Sequence, residues 1–236
     1  MKKKKGLRVC FINLLVIVLT AVAVYSGVQV WEIQKDYATE ADMRNAVAVY
    51  KPQTSETVNQ SVIDLQAKYP DAVGWLTVPG TKIDYPFVQS RDNDYYLRRD
   101  LDGKYATAGT LFMDCRCTPE FNSQNTIIYG HHLKNGSMFS ALKSFADKEF
   151  FNKNTVGTIF LPRETLQLEF FAYLVVKYTD KEIYSDKLSE NFIEYVEQNA
   201  RQYRKLEPSD GDRIVTLSTC SYEFNGARMA LLARIT

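Results

Sequence analysis

Cys220 closes the stretch Thr216-Leu217-Ser218-Thr219-Cys220, and Arg228 follows in the next segment. Far upstream lies Tyr129-Gly130-His131-His132, which holds both of the chain's histidines. A thiol with no base nearby is mostly protonated at neutral pH. Beside an imidazolium it becomes a thiolate, which is a potent nucleophile. An arginine adds a permanent positive charge that can hold an oxyanion or a substrate carbonyl. Together these three residue types describe covalent acyl transfer through a thioester.

Each of the three also has a plainer reading. An unpaired cysteine is commonly a small buried hydrophobe. Against that, the apolar run 213–219 delivers Cys220 to a strand end, next to the polar Ser221-Tyr222-Glu223, where reactive groups tend to sit. Neighbours on a strand point to opposite faces, so one imidazole of the pair can face the thiol, and the pattern leaves open which one. Asn225-Gly226 signals a two-residue hairpin. Taken strictly, that turn pairs Glu223 with Arg228 and Cys220 with Leu231, and it points Arg228 away from the thiol. Cooperation between the two needs a longer or bulged loop with Cys220 opposite Arg228. Otherwise Arg228 makes a surface pair with Glu223 worth under about 1 kcal/mol.

Other features are less informative. Arg91-Asp92-Asn93-Asp94 lacks the glycine and distal glutamate of a calcium loop. The cysteine and histidine spacings match no common zinc pattern, so no metal is expected. Cys115 and Cys117 are too close in an extended chain to bridge each other easily. Cys10 falls in an apolar segment where it packs against lipid. A domain of this size needs no disulfide framework, so Cys220 is expected as a free thiol. The many tyrosines suit strands and a peptide-binding groove.

The elements that must position the candidates begin with Lys2-Lys3-Lys4-Lys5, followed by an uncharged apolar run over residues 9–30. Roughly 20 apolar residues cross a hydrocarbon core of about 30 Å. The run continues past the small-residue site Ala21-Val22-Ala23, which favours an uncleaved anchor over a signal peptide. The lysines are expected to stay cytoplasmic, with the remaining chain outside the cell. Lys and Arg number 29 against 28 Asp and Glu. Without the basic tip the outer part is mildly acidic, which gives no support for nucleic-acid binding.

Three regions are expected: the tip and anchor (1–31), a helical stalk (32–70) and the main body (71–236). The stalk has helical spacing at Ala41, Met43, Ala46, Val47 and Val49, and again at Val58, Val62, Ile63, Leu65 and Ala67. Residues 51–55 separate the two. Eight short strands are expected over residues 75–78, 83–88, 110–113, 126–129, 158–161, 166–178, 213–219 and 229–235. They suggest an antiparallel barrel or sandwich. A surface helix over 185–204 interrupts them, and a shorter helix covers 138–145.

These residues resemble the sortases, Gram-positive cell-surface transpeptidases. The match rests on the TLxTC signature in Thr216–Cys220, the downstream Arg228, and Tyr129-Gly130-His131. The late helix, Asp92-Asn93-Asp94-Tyr95-Tyr96-Leu97 and Thr110-Leu111-Phe112-Met113-Asp114 look like class B. The resemblance covers residues 75–236 and implies a mainly β fold, an eight-stranded sortase barrel with N-terminal helices. It implies Cys220, His131 and Arg228 as catalytic residues and His132 as a bystander. It places Asn93, Leu97 and Ser218 along the substrate groove, and it implies that the strict Asn-Gly hairpin is wrong. The implied activity is cleavage of a C-terminal sorting signal after threonine, through a thioester. The protein is then transferred to an amine of a cell-wall precursor or to a pilin lysine, with no cofactor. A hydrolytic cysteine peptidase and a non-catalytic surface binding module are the rival readings.

Overall fold

The structure is a computed structural model that describes residues 2–53, 58–206 and 211–236, with side chains from residue 11 onward. Thr54 and Ser55 of the expected separator, and the Cys10 side chain, lie outside the described residues. The chain divides into two units, Met1–Ala41 and Asp42–Thr236.

The first unit lies within α1 (Lys2–Val47). Its apolar stretch is exposed throughout, and mean hydropathy there reaches 2.3, enough by length and composition to cross a membrane. The first stalk helix is not separate. Residues 41–47 belong to α1, and one 3-10 turn, Ala48–Tyr50, follows. Nothing between residues 31 and 47 breaks a helix: there is no proline and no glycine there. The second stalk helix is α2 (Gln60–Lys68), which buries Val62 and Leu65.

All eight expected strands form, with shifted ends. They are β1 (Ala72–Thr77), β2 (Asp84–Val88), β3 (Leu111–Met113), β4 (Asn125–Tyr129), β5 (Val156–Phe160) and β6 (Thr165–Lys177), then β8 (Ile214–Cys220) and β9 (Ala227–Ile235). A two-residue β7 (Gln202–Tyr203) pairs with β6. The sheet runs β5-β1-β2-β3-β4-β8-β9-β6, and β5 pairs back onto β6, so the eight close into a barrel. Closure removes every exposed edge among the eight.

The barrel is not wholly antiparallel. The β2–β3 and β4–β8 pairs are parallel. Parallel strands leave a sheet at the same end, whatever their distance in sequence. The segments after Tyr129 and after Thr219 therefore emerge side by side. The antiparallel β9 begins at that end and brings Ala227 and Arg228 to it.

The alternation of β8 and β9 separates two layers. Val215, Leu217, Met229, Leu231 and Ala233 point into the barrel with Phe87, Leu111 and Ile128. Ile214, Ala230 and Leu232 point outward, under Phe192 and Val196 of α4 (Phe192–Asn199). Cys220 and Ser218 share the parity of Ile214, so they lie on the outer face. The chemistry is thus built on the outside of a filled barrel.

The late helix is shorter than the expected 185–204. Residues 185–191 form bends and turns rather than helix, and the carbonyls of Ile183, Tyr184 and Ser185 at their start are held by Arg116 and Asn125. The expected helix over 138–145 is 3-10, Phe139–Ala146.

Gly130 explains itself by packing. A Cβ there would lie 2.8 Å from the Phe139 ring and closer still to Leu111. Both neighbours are fully buried. Gly130→Ala is expected to destabilise the fold by about 1–3 kcal/mol, the usual cost of overpacking a closed core. An unchanged thermal midpoint would contradict this packing account.

Candidate active site

Register sets the first contact. Tyr129 lies beside Ser218 across the parallel β4–β8 pair, and the next amide, Gly130 N–H, donates to the Ser218 carbonyl at 3.1 Å. His131 is therefore carried level with Cys220. On the other side of β8, Cys220 lies directly opposite Arg228. Directly opposed residues of an antiparallel pair project to one face, with Cβ atoms about 4.5–5.5 Å apart. The strict two-residue hairpin is ruled out. Asn225-Gly226 does turn the chain, with Ala227 N–H donating to the Phe224 carbonyl and Gly226 at φ +76°. That turn sits inside a longer loop, closed by Ser221 N–H donating to the Ala227 carbonyl at 3.0 Å. Glu223 pairs with Arg201 at 2.5 Å rather than with Arg228.

Cys220, His131 and Arg228 line one pocket of about 530 Å³. Asn93 and Leu97 form part of one wall, on and before the 3-10 turn Tyr95–Arg98. Asp92 caps that turn, accepting from the amides of Asp94 and Tyr95. Asn93 Oδ1 accepts from the Cys115 amide at 2.8 Å, which fixes the wall to the β3–β4 connection. The opposite wall is the loop after β6, with Tyr178 and Tyr184. Ser218 lies on the floor and is almost fully buried. All six residues expected at a site therefore line this cavity. His132 does not line it.

His131 Nε2 lies 2.6 Å from the Leu97 carbonyl. A carbonyl accepts only, so Nε2 carries the proton and Nδ1 is the nitrogen left for exchange. Burial, the largest influence, lowers the His131 pKa below its ordinary 6.5. The Leu97 carbonyl opposes this, and the Arg98 charge adds to the lowering. The Arg228 guanidinium sits 5.9 Å from the Tyr178 ring centroid, a cation–π distance, and its Nη1 donates to the Ala227 carbonyl. Cys115 is an exposed free thiol, whereas Cys117 is buried. Burial pushes the Cys117 thiol up to about 11, so it is a packing residue.

Several lining groups carry no sequence signal. Tyr184 OH and Ser218 Oγ hydrogen-bond at 2.9 Å, and burial pushes the Tyr184 hydroxyl up to about 12. Below them, Asp114 is fully buried and receives Arg116 through Nε at 2.9 Å and Nη2 at 2.7 Å. The Tyr129 hydroxyl also donates to it, at 2.9 Å. Burial works against the Asp114 charge. The Arg116 and Tyr129 hydrogen bonds outweigh it and hold the carboxyl below its usual range. Arg116 Nη2 also donates to the Tyr184 carbonyl, while Asn125 Nδ2 holds the carbonyls of Ile183 and Ser185. Asn125 Oδ1 in turn accepts from Thr216 Oγ1 at 2.9 Å. Thr216 and Ser218 thus support the wall loop from the strand that carries Cys220.

The Sortase domain family matches residues 76–235. Sortase B of Listeria monocytogenes is 34% identical over 233 residues, spanning 94% of this chain and 95% of the relative. Sortase B from Bacillus anthracis, solved in complex with AAEK1, is 33% identical with a TM-score of 0.75, over 86% of this chain and 98% of that one. A Streptococcus pyogenes class B sortase involved in pilus biogenesis is 33% identical with a TM-score of 0.69, over 74% and 97%.

The chain belongs to the sortase family, class B.

Sortases are cysteine transpeptidases of cell-wall sorting, and the barrel described above is the sortase barrel with its N-terminal helices. The apolar part of α1 is consistent with the membrane anchor of such a sortase. In this sortase the wall loop depends on buried donors. Asn125→Ala leaves the carbonyls of Ile183 and Ser185 without their partner, at about 1–3 kcal/mol for a buried unsatisfied group. Faster amide exchange confined to residues 183–188 is the expected readout. Unchanged protection of that segment would show that Asn125 does not hold the loop.

Proposed function

We propose that this sortase cleaves a C-terminal sorting signal after its threonine and transfers the new carboxyl end to an amine. Cys220, His131 and Arg228 carry the reaction. The observation that supports this most is the direct cross-strand opposition of Cys220 and Arg228 within the groove that His131 also lines. Asn93, Leu97 and Ser218 belong to the groove that receives the signal peptide.

The steps follow from the groups present. The Cys220 thiol passes its proton to His131 Nδ1, and the thiolate attacks the threonine carbonyl. Arg228, preorganised by Ala227 and Tyr178, faces the developing oxyanion. When the C–N bond breaks, the leaving amine takes the Nδ1 proton, and a thioester remains. An incoming amine gives its proton back to Nδ1 and attacks the thioester. Collapse then expels the thiolate, which recovers its proton. The amine belongs to a cell-wall precursor or to a pilin lysine. The lysine-rich tip stays cytoplasmic and α1 crosses the membrane, so the barrel faces those partners outside the cell.

Three substitutions test the assignments. Cys220→Ala abolishes acyl-enzyme formation with the fold intact. His131→Ala costs about 10²–10⁴ in kcat. Arg228→Lys costs about 10²–10³, because an ammonium cannot reproduce the fork facing the oxyanion. Mass spectrometry of the products with added amine checks the outcome. A free carboxylate as the sole product would make this a hydrolase instead, and full turnover in Cys220→Ala would remove the thioester.

The His131 environment also predicts a pH dependence. The neutral ring is favoured by burial, so protonation occurs below pH 6.5 in the free enzyme. Below that inflection an imidazolium sits beside the sulfur. Above it the ring is a neutral base. The rate of Cys220 alkylation against pH therefore carries an inflection below 6.5 that His131→Asn removes. An inflection above 6.5 that depends on His131 would contradict this reading.

A further inference from the structure

His132 lies outside the groove but touches the nucleophile's backbone. Its Nδ1 is 3.0 Å from the Cys220 carbonyl. That carbonyl can only accept, so Nδ1–H donates, and it does so in both the neutral ring and the imidazolium. The peptide that follows Cys220 is thereby held at both ends. Its carbonyl takes His132, and its N–H, from Ser221, donates to the Ala227 carbonyl at 3.0 Å. The same Ala227 oxygen accepts from Arg228 Nη1 at 3.0 Å. One hydrogen-bonded chain thus runs from the His132 ring through the Cys220–Ser221 peptide to the Arg228 guanidinium. Peptide groups in such a chain polarise one another and stiffen the geometry of both ends.

The ring itself is fixed independently. It packs on the exposed Tyr222, with centroids 5.5 Å apart. Its backbone bridges Met138, which stands at φ +54°. A bulky residue in that region costs about 1–3 kcal/mol and persists where its surroundings over-determine it. Here those surroundings are Tyr85 OH accepting from the Met138 amide, the Phe139 amide donating to the His131 carbonyl, and Ser140 Oγ bonded to both backbone groups of Leu133. The strained loop presents His132 in one pose.

We propose that His132 is a positioning residue for the acyl-transfer centre, its Nδ1–H fixing the peptide that aims both the Cys220 thiol and the Arg228 guanidinium. This rests on the assignment of Cys220 as nucleophile, and it gives a working role to a residue expected to be a bystander. The bond uses Nδ1, so an asparagine amide can replace it, because its Nδ2 lies where Nδ1 does. A glutamine amide reaches instead to the position of Nε2 and cannot.

The test is iodoacetamide alkylation of the full chain, with each cysteine peptide followed by mass spectrometry. Cys115, exposed and outside the hydrogen-bonded chain, is the internal reference. His132→Ala and His132→Gln are expected to slow Cys220 alkylation by roughly three- to tenfold, the scale of one lost hydrogen bond. His132→Asn is expected to stay within about twofold of the parent, with Cys115 unchanged in every variant. The kcat for acyl transfer follows the same order while KM for the signal peptide holds. Should His132→Ala fail to fold, the Asn and Gln pair still decides. Equal rates in the Asn and Gln variants, or an effect on KM alone, would overturn the proposal while leaving the nucleophile assignment standing. Acyl transfer by Cys220→Ala would overturn both.

Discussion

The site depends on one pairing, the parallel contact of β4 with β8. Two strands distant in sequence are hydrogen-bonded in the same direction from Asn125–Ile214 to Tyr129–Ser218. Parallel neighbours need a long crossover between them. That crossover here contains β5, β6 and α4. Its loop-closure cost brings the imidazole and the thiol to one barrel end without any local sequence relation. Had β4 run antiparallel to β8, His131 would leave the barrel at the end opposite Cys220. Arg228 needs no such device, since the antiparallel return into β9 places it across from the thiol.

The second constraint is the parity of β8. Odd positions fill the barrel: Val215 and Leu217 are fully buried among apolar side chains. Even positions face outward and become steadily more chemical along the strand. Ile214 packs under α4, Thr216 orients Asn125, Ser218 meets Tyr184, and Cys220 opens to the groove. One strand thus carries the core on one face. On the other it carries, in order, a packing contact, two supports for the wall loop and the proposed nucleophile. Burying the even face needs matched partners. The amide of Asn125 and the hydroxyl of Tyr184 supply them, and the buried charge of Asp114 is answered by three hydrogen bonds from side chains.

Much of this was legible in the sequence. Period-two runs and turn signals gave all eight barrel strands, because half-buried strands must alternate. Cys220, Arg228 and the histidine pair can be singled out by residue type, and the resemblance to sortases chooses His131 over His132, which the strand pattern leaves open. Strand direction was not legible, since a short strand reads the same whether its neighbour is parallel or antiparallel. Leu188 and Phe192 show helical spacing, yet residues 185–191 form bends and turns rather than helix. The carbonyls of Ile183, Tyr184 and Ser185 at the start of this segment are taken by Asn125 and Arg116, far away in sequence, and no local pattern records that. The Asn225-Gly226 dipeptide by itself points to a strict two-residue hairpin, which the resemblance to sortases already counts against and the Cys220–Arg228 register excludes. The turn forms, but the strand ends it joins were set by the Cys220–Arg228 register and not by the dipeptide. The Asp114–Arg116 contact was not legible, because a buried carboxylate paired with a half-exposed guanidinium differs from a surface pair only in its surroundings.

The resting electrostatics suit a site that must wait for its substrate. Burial favours the neutral form of His131, so in the proposed mechanism the free enzyme is not primed with an imidazolium to sustain a thiolate. With the proposed topology, a permanently activated thiol would meet oxidants as readily as substrate. A peptide entering the groove changes the balance in two ways. It excludes water, which strengthens every charge interaction there. It also offers Arg228 an oxygen on which negative charge develops. The ion pair of thiolate and imidazolium then gains its stabilisation when a carbonyl is present to be attacked. An environment that favours neutral His131 and the proposed role of that ring as proton donor to the leaving amine are therefore compatible. In that proposal the burial that disfavours protonation also makes the protonated ring a stronger acid toward the departing nitrogen.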